Sequence, residues 1–108
     1  VMAEKAGMSR STFLAFLNDS VVGSTFTRYK TPALVELDFR PTFTTELLRK
    51  DFDLGIAAAR ALETPVPLAA ATYQLIQAAV AVGHGEEDFA TLLVEQARAA
   101  GLDLKPEG

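Results

Sequence analysis

Lys50 and Asp51 are the residues of this sequence whose setting asks for chemistry. They stand side by side in the run Arg49-Lys50-Asp51-Phe52-Asp53, inside the stretch TFTTELLRKDFDLGIAAARALETP, which reads as one helix from about Thr45 to Leu62 with Thr44 as a possible cap. On a wheel of about 100° per residue with Leu47 at zero, the apolar residues Leu47, Leu48, Phe52, Leu54, Ala58 and Leu62 share an arc of roughly 160°, the face expected to pack inward. Glu46, Arg49, Asp53 and Arg60 fall opposite and need be no more than a solvated face. Asp51 falls inside the apolar arc, at about 40°, and Lys50 on its edge, at about 300°. A carboxylate removed from water without partners costs several kcal/mol, so Asp51 is expected to be paired, hydrogen-bonded or beside a polar cavity.

Two accounts of the pair stand open. In one, Glu46 and Lys50 form an i,i+4 ion pair worth roughly 0.2 to 0.5 kcal/mol, and Asp51 accepts from a neighbouring backbone. In the other, this edge of the arc borders a ligand site, with Lys50 directed into it and Asp51 holding the local geometry. A cation in the first turns of a helix opposes the macrodipole, which favours a use beyond stability.

No other residues form a comparable constellation. His84, the sole histidine, lies between two glycines and suits a helix end or a loop. No His/Asp/Glu cluster has metal-ligand spacing, and Ser20 and Ser24 lack a nearby histidine. The aromatics Phe13, Phe16, Phe52, Tyr73 and Phe89 are expected in the core. Phe43, just ahead of a helix start, suits a hydrophobic staple.

The elements that must position these residues are helical throughout. Val1 to Ala6 reads as a helix end stopped by Gly7, and Ser9 caps a second helix. The segment NDSVVGSTFTRYK mixes turn formers with β-branched residues and is expected to be irregular, after which Thr31-Pro32 starts a short helix to about Leu37. Pro65 and Pro67 end the Lys50 helix, and Pro67 starts an uncharged helix stopped by Gly83. Glu86, Glu87 and Asp88 supply the negative first turn of a last helix that Gly101 ends. No alternating run is long enough for a sheet.

Composition sets the outer limits. The chain has 108 residues, 49% of them apolar and 22% charged, which is one globular domain's worth. Its net charge of -4 disfavours a role built on neutralising nucleic-acid phosphates. There is no cysteine, hence no disulfide or thiolate site. The uncharged stretch from Thr64 to Gly85 approaches membrane-spanning length, but two prolines, two glutamines and a histidine make it a buried helix or a subunit contact. The chain begins at Val1 rather than at a methionine, so its true N-terminus is expected to lie upstream.

The order Phe43, Leu47, Lys50, Asp51, Leu54, then PVPL and GHGEEDF from Gly83 to Phe89, resembles the C-terminal helical domain of the β-hydroxyacid dehydrogenases. That family includes 3-hydroxyisobutyrate dehydrogenase, with 6-phosphogluconate dehydrogenase as a wider relative. The resemblance implies an all-α bundle of about five helices, lacking the start of its first long helix. It also implies a two-domain NAD(P)-dependent oxidoreductase of which residues 1–108 form the second, cleft-closing and dimer-forming domain. NAD or NADP would be bound mainly by a Rossmann domain upstream, with Lys50 near the nicotinamide end, Phe43 close by and Asp51 in support. A small β-hydroxy acid or its carbonyl form, a homodimer and a cytoplasmic location are the further expectations.

The departures set limits on this. The family's Gly-x-x-x-Lys-x-x-Asn pattern, which carries the catalytic lysine, is absent, as is a Gly-x-Gly-x-x-Gly loop after a strand. No catalytic residue is expected here, and the chain alone is expected to be inactive. A second resemblance, of AEKAGMSRSTF to the helix-turn-helix of TetR-type regulators, would turn Arg10, Ser11 and Thr12 toward DNA. A plain turn with Gly7 as stop and Ser9 as cap gives the same pattern. A free-standing helical dimerisation module is the remaining alternative.

Overall fold

The computed structural model describes residues 1–107, and they form six α-helices. In chain order these are α1 (Met2–Lys5), α2 (Arg10–Asp19), α3 (Thr25–Glu36), α4 (Thr45–Ala61), α5 (Pro67–Ala79) and α6 (Leu92–Ala99). A π-helical turn, Val80–His84, extends α5, and a 3-10 turn, Phe89–Thr91, leads into α6. Among the described residues there is no strand, only one isolated antiparallel bridge between Thr44 and Asp88. The all-α architecture read from the sequence is the one observed. No helix among the described residues is long and apolar enough to cross a membrane.

Local chemistry accounts for most of the boundaries. Ser9 caps α2 by accepting from the Thr12 N–H, and Thr44 caps α4 by accepting from the Leu47 N–H. Pro67 opens α5 at a position where its missing N–H has no partner to lose. Gly83 turns the chain at φ 105°, a left-handed conformation that costs a side chain about 1–2 kcal/mol.

Three expectations need correction. The segment read as irregular instead opens α3 at Thr25. Ser24 accepts from the Thr27 N–H at 3.0 Å while Thr27 Oγ1 accepts from the Ser24 N–H at 2.8 Å, a reciprocal capping box with threonine in the usual Glu/Gln place. Pro32 therefore lies inside α3 rather than in a first turn. Glu86 and Glu87 precede the last helix instead of forming its first turn; Asp88 is the cap, accepting from the Ala90 N–H at 3.0 Å. Finally, Phe13 and Phe16 are 36% and 69% exposed, so neither belongs to the core.

The chain divides into two compact units, Val1–Phe39 with Leu93 onward, and Arg40–Leu92. The first is organised around Arg10, which is 5% exposed. Its Nε donates to the Leu34 carbonyl at 2.6 Å, and its Nη2 donates to the Val35 and Lys105 carbonyls at 2.8 and 2.7 Å. Nη1 donates to both oxygens of Glu4 at 3.0 and 3.1 Å. Arg10 is thus a cross-brace within this unit and does not face outward, whereas Ser11 and Thr12 are exposed.

Glu107 completes that network from the other end of the chain. Its carboxylate accepts from the Arg10 N–H at 2.9 Å and the Ser11 N–H at 3.0 Å, placing a negative charge over the first turn of α2. The Ser11 N–H chiefly, with the Arg10 N–H, the Ser11 hydroxyl and the Arg10 charge, holds its carboxyl below the usual glutamate range. A folded pKa below the unfolded one contributes stability above the unfolded value and loses it as the pH falls through the folded one. Glu107→Gln is therefore expected to lower stability at neutral pH and to change it little once the pH is below the folded pKa, which flattens the acid limb of a thermal stability profile. An unchanged acid limb would remove Glu107 from the linkage.

Candidate functional site

The second unit is built on α4 and α5, packed against each other, and on the loop from Gly85 to Thr91. Ile76 and Ala79 of α5 are fully buried, as are Thr45 at the start of α4 and Thr91 in the 3-10 turn. On α4 the buried or half-buried positions are Thr45, Leu48, Arg49, Phe52, Ile56 and Ala59, a helical repeat of three and four. The arc expected to pack inward is therefore buried only along one edge. Leu47 and Leu54, at its other edge, are 42% and 63% exposed, and Leu62, at its centre, is 76% exposed.

This shift resolves the anomaly of the two charges. Lys50 and Asp51 are both exposed, and neither makes a hydrogen bond or ion pair with any described residue. The expected Glu46–Lys50 pair does not form. Glu46 lies instead over Gly85, where an added Cβ would come within 2.9 Å of its Cγ and Oε1 and the exposed glutamate side chain would have to shift. Nor does Asp51 satisfy a neighbouring backbone; it needs no partner because it remains in water. Lys50 and Asp51 flank the exposed Leu47–Leu54 stripe, one on each side.

Asp51 also borders a cleft. With Phe52, Gly55 and Ile56 of α4, and Val66 and Ala69 beside them, it lines an apolar hollow of about 270 Å³. Lys50 and Phe43 are not among its walls. A second groove of about 400 Å³ between the same helices is more polar, with Asp53, Arg60, Tyr73 and Gln74 over Ile56, Ala57 and Ala70. There the hydrogen bond to Asp53 comes first among the causes that hold the Tyr73 phenol above its usual range.

The third residue read from the sequence, Phe43, is half-buried and held from both sides. Its ring meets that of Phe89 edge-on, with centroids 6.2 Å apart and planes at 79°. Its carbonyl accepts from the Phe89 N–H at 3.1 Å, and its N–H donates to Asp88 Oδ1 at 3.3 Å. The Thr45 N–H donates to the Glu87 carbonyl at 2.9 Å and the Glu46 N–H to the Gly85 carbonyl at 3.0 Å. His84 takes a loop role, its Nδ1 lying 3.2 Å from Glu87 Oε1. The GHGEEDF stretch is thus the clamp on the start of α4, a role the sequence reading missed. The signal available was Asp88 placed two residues before Ala90, as a cap rather than as a member of a helical turn.

Among the described residues no group of His, Cys, Asp or Glu is arranged to hold a metal ion. The site comprises one free ammonium, one free carboxylate, an apolar stripe between them, and an aromatic ring locked at the mouth of the helix. Such a set can meet a ligand that presents both a planar apolar surface and polar or anionic groups.

The fold is that of an all-helical domain. The family profile described as NAD-binding of NADP-dependent 3-hydroxyisobutyrate dehydrogenase matches residues 1–95, and the chain belongs to that family. Among curated relatives, the cytokine-like nuclear factor N-PAC of Homo sapiens is 30% identical over 91 residues, covering 84% of this chain and 16% of its own length. The 3-sulfolactaldehyde reductase of Escherichia coli is 32% identical over 68 residues, covering 63% of this chain and 23% of its own. The fold is shared with 3-hydroxyisobutyrate dehydrogenase of Salmonella typhimurium, at a TM-score of 0.79 and 24% identity, over 86% of this chain and 33% of that one. The Mycobacterium tuberculosis 3-hydroxyisobutyrate dehydrogenase with L-serine gives a TM-score of 0.76 at 24% identity, over 88% and 35%. The chain thus spans a sixth to a third of the length of these proteins.

Proposed function

We propose that this chain is the C-terminal helical domain of an NAD(P)-dependent dehydrogenase or reductase that acts on a small β-hydroxy acid or its aldehyde or keto form. The observation that carries the reading is the family match over residues 1–95 together with a lysine on α4 that has no partner among the described residues. The dinucleotide is held mainly by a Rossmann domain elsewhere in the full-length protein, and the bound nicotinamide supplies or accepts the hydride. Lys50 binds at the nicotinamide end of the dinucleotide, Phe43 lies beside it, and Asp51 supports the lysine from the other side of the Leu47–Leu54 stripe.

The residues fit such a group. An unpartnered lysine side chain can donate to a polar or anionic acceptor, and an aromatic ring ahead of the same helix can pack against a planar one. This domain contributes no catalytic group, so alone it is inactive. Its exposed leucines on α4 and α5 support a further role in a homodimer interface, and the enzyme is cytoplasmic.

Lys50→Ala in the full-length protein is expected to weaken dinucleotide binding by about tenfold, the loss of one charge-assisted contact of about 1.4 kcal/mol. The melting temperature should stay within a degree or two, since the side chain is exposed and unpaired. Fluorescence titration with NADH and NADPH reads the first, and a thermal melt the second. Unchanged affinity for both cofactors would refute the assignment of Lys50.

A further inference from the structure

Asp88 is a buried carboxylate whose hydrogen bonds reach far beyond its own turn. It is 1% exposed. Capping the 3-10 turn uses Oδ2 alone, through the Ala90 N–H at 3.0 Å. Oδ1 is directed to the segment that opens α4, where it accepts from the Thr42 N–H at 3.1 Å, the Thr42 hydroxyl at 3.0 Å and the Phe43 N–H at 3.3 Å. A carboxylate is costly to bury, and four converging donors are what make its charge tolerable there.

The consequence lies in the setting of α4. Thr42 and Phe43 immediately precede the N-cap residue Thr44, so the carboxylate fixes where the helix begins. Each residue along a helix turns by about 100°, so the direction in which every side chain of α4 leaves its axis follows from how its first turn is held. The loop that carries Asp88 also takes the Thr45 and Glu46 N–H groups on the Glu87 and Gly85 carbonyls. Those backbone bonds involve the peptide itself and persist under side-chain substitution. The clamp reaches Phe43 through two side chains, the Phe89 ring edge-on against its ring and the Asp88 carboxylate on its N–H, and of the two only the carboxylate holds the backbone ahead of α4.

We propose that Asp88 is a positioning residue for the cofactor contact, its carboxylate setting the direction in which α4 presents the Phe43 ring and the Lys50 ammonium to the dinucleotide. The inference rests on the reading that Lys50 meets the dinucleotide. Asp88→Asn keeps the shape but leaves one oxygen for donors on two sides, so an NH2 group faces an N–H either at Ala90 or ahead of α4 and the hold between the two segments is weakened.

The test is a double-mutant cycle on the full-length protein, with NADH and NADPH as fluorescent probes at a temperature where melts show every variant folded. Asp88→Asn should weaken affinity five- to twentyfold in the wild-type background and less than twofold in the Lys50→Ala background. Ile76→Val, a conservative change in the packing of the same unit, should leave affinity within twofold and so separates positioning from general destabilisation. If Asp88→Asn is silent while Lys50→Ala weakens binding, or if the two effects multiply, the positioning role is overturned and the Lys50 reading survives. If Lys50→Ala is itself silent, that reading fails and this inference fails with it. Should Asp88→Asn not fold, Thr42→Val, which deletes a single donor to the carboxylate, carries the same cycle with a two- to fivefold effect expected, and its silence overturns the role equally.

Discussion

Arg10→Ala is expected to lower the free energy of unfolding by about 3–5 kcal/mol, the range for removing one member of a buried ion pair. The measurement is a urea titration followed by far-UV circular dichroism. The size follows from what would be left behind. Glu4 and Glu107 would lose their cation at 20% and 19% exposure, and the carbonyls of Leu34 and Lys105 would lose the Arg10 donor, while that of Val35 keeps the Glu107 N–H at 3.0 Å. Each stranded acceptor costs about 1–3 kcal/mol unless water reaches it. Against a total of about 5–15 kcal/mol for a domain, such a loss is visible in any melt. Arg10→Lys should recover only part of it, because an ammonium cannot reproduce the bidentate grip on Glu4 while reaching three carbonyls. A loss under 1 kcal/mol for Arg10→Ala would mean that the first unit does not depend on this brace.

The same residue shows where sequence reading reached its limit. Gly7 as a stop and Ser9 as a cap are local signals, and both hold: Gly7 sits at φ 97° and Ser9 accepts from Thr12. The partners of Arg10 at positions 34, 35, 105 and 107 are distant in sequence and leave no local trace. An arginine just after a turn therefore leaves a DNA-facing reading as a minor alternative to the plain turn. Asp88 is the parallel case in the second unit. Three acidic residues in a row suggest a helix dipole, and only the tertiary structure separates the exposed Glu86 from the buried Asp88.

Elements with strong ends were legible for the converse reason. Thr44 before α4, Pro67 inside α5 and Gly101 after α6 act through their own φ angle or their own side chain. The start of α3 was not, because its capping box uses threonine where glutamate is the usual signal, and Pro32 argued for a boundary that the helix runs through. In the candidate site, the positions Phe43, Lys50 and Asp51 were read from spacing and resemblance. Their surroundings were not, since an apolar arc on a wheel records what a helix can bury and not what lies opposite it.

That difference is measurable on α4 and α5. Ile76→Ala is expected to cost about 2–5 kcal/mol, because Ile76 is fully buried at the centre of the second unit and its removal leaves a cavity as well as losing apolar contact. Leu54→Ala, within the arc that the wheel turned inward, should change the stability of the isolated chain by no more than about 0.5 kcal/mol, since the side chain is 63% exposed. Both are read by urea titration of the same chain, so one pair of variants compares the face that is packed with the face that only looks packable. Equal losses at the two positions would mean that Leu54 is covered in solution, by a second copy or by another segment. A concentration dependence of its unfolding midpoint would then identify the second copy, because only association between chains responds to mass action.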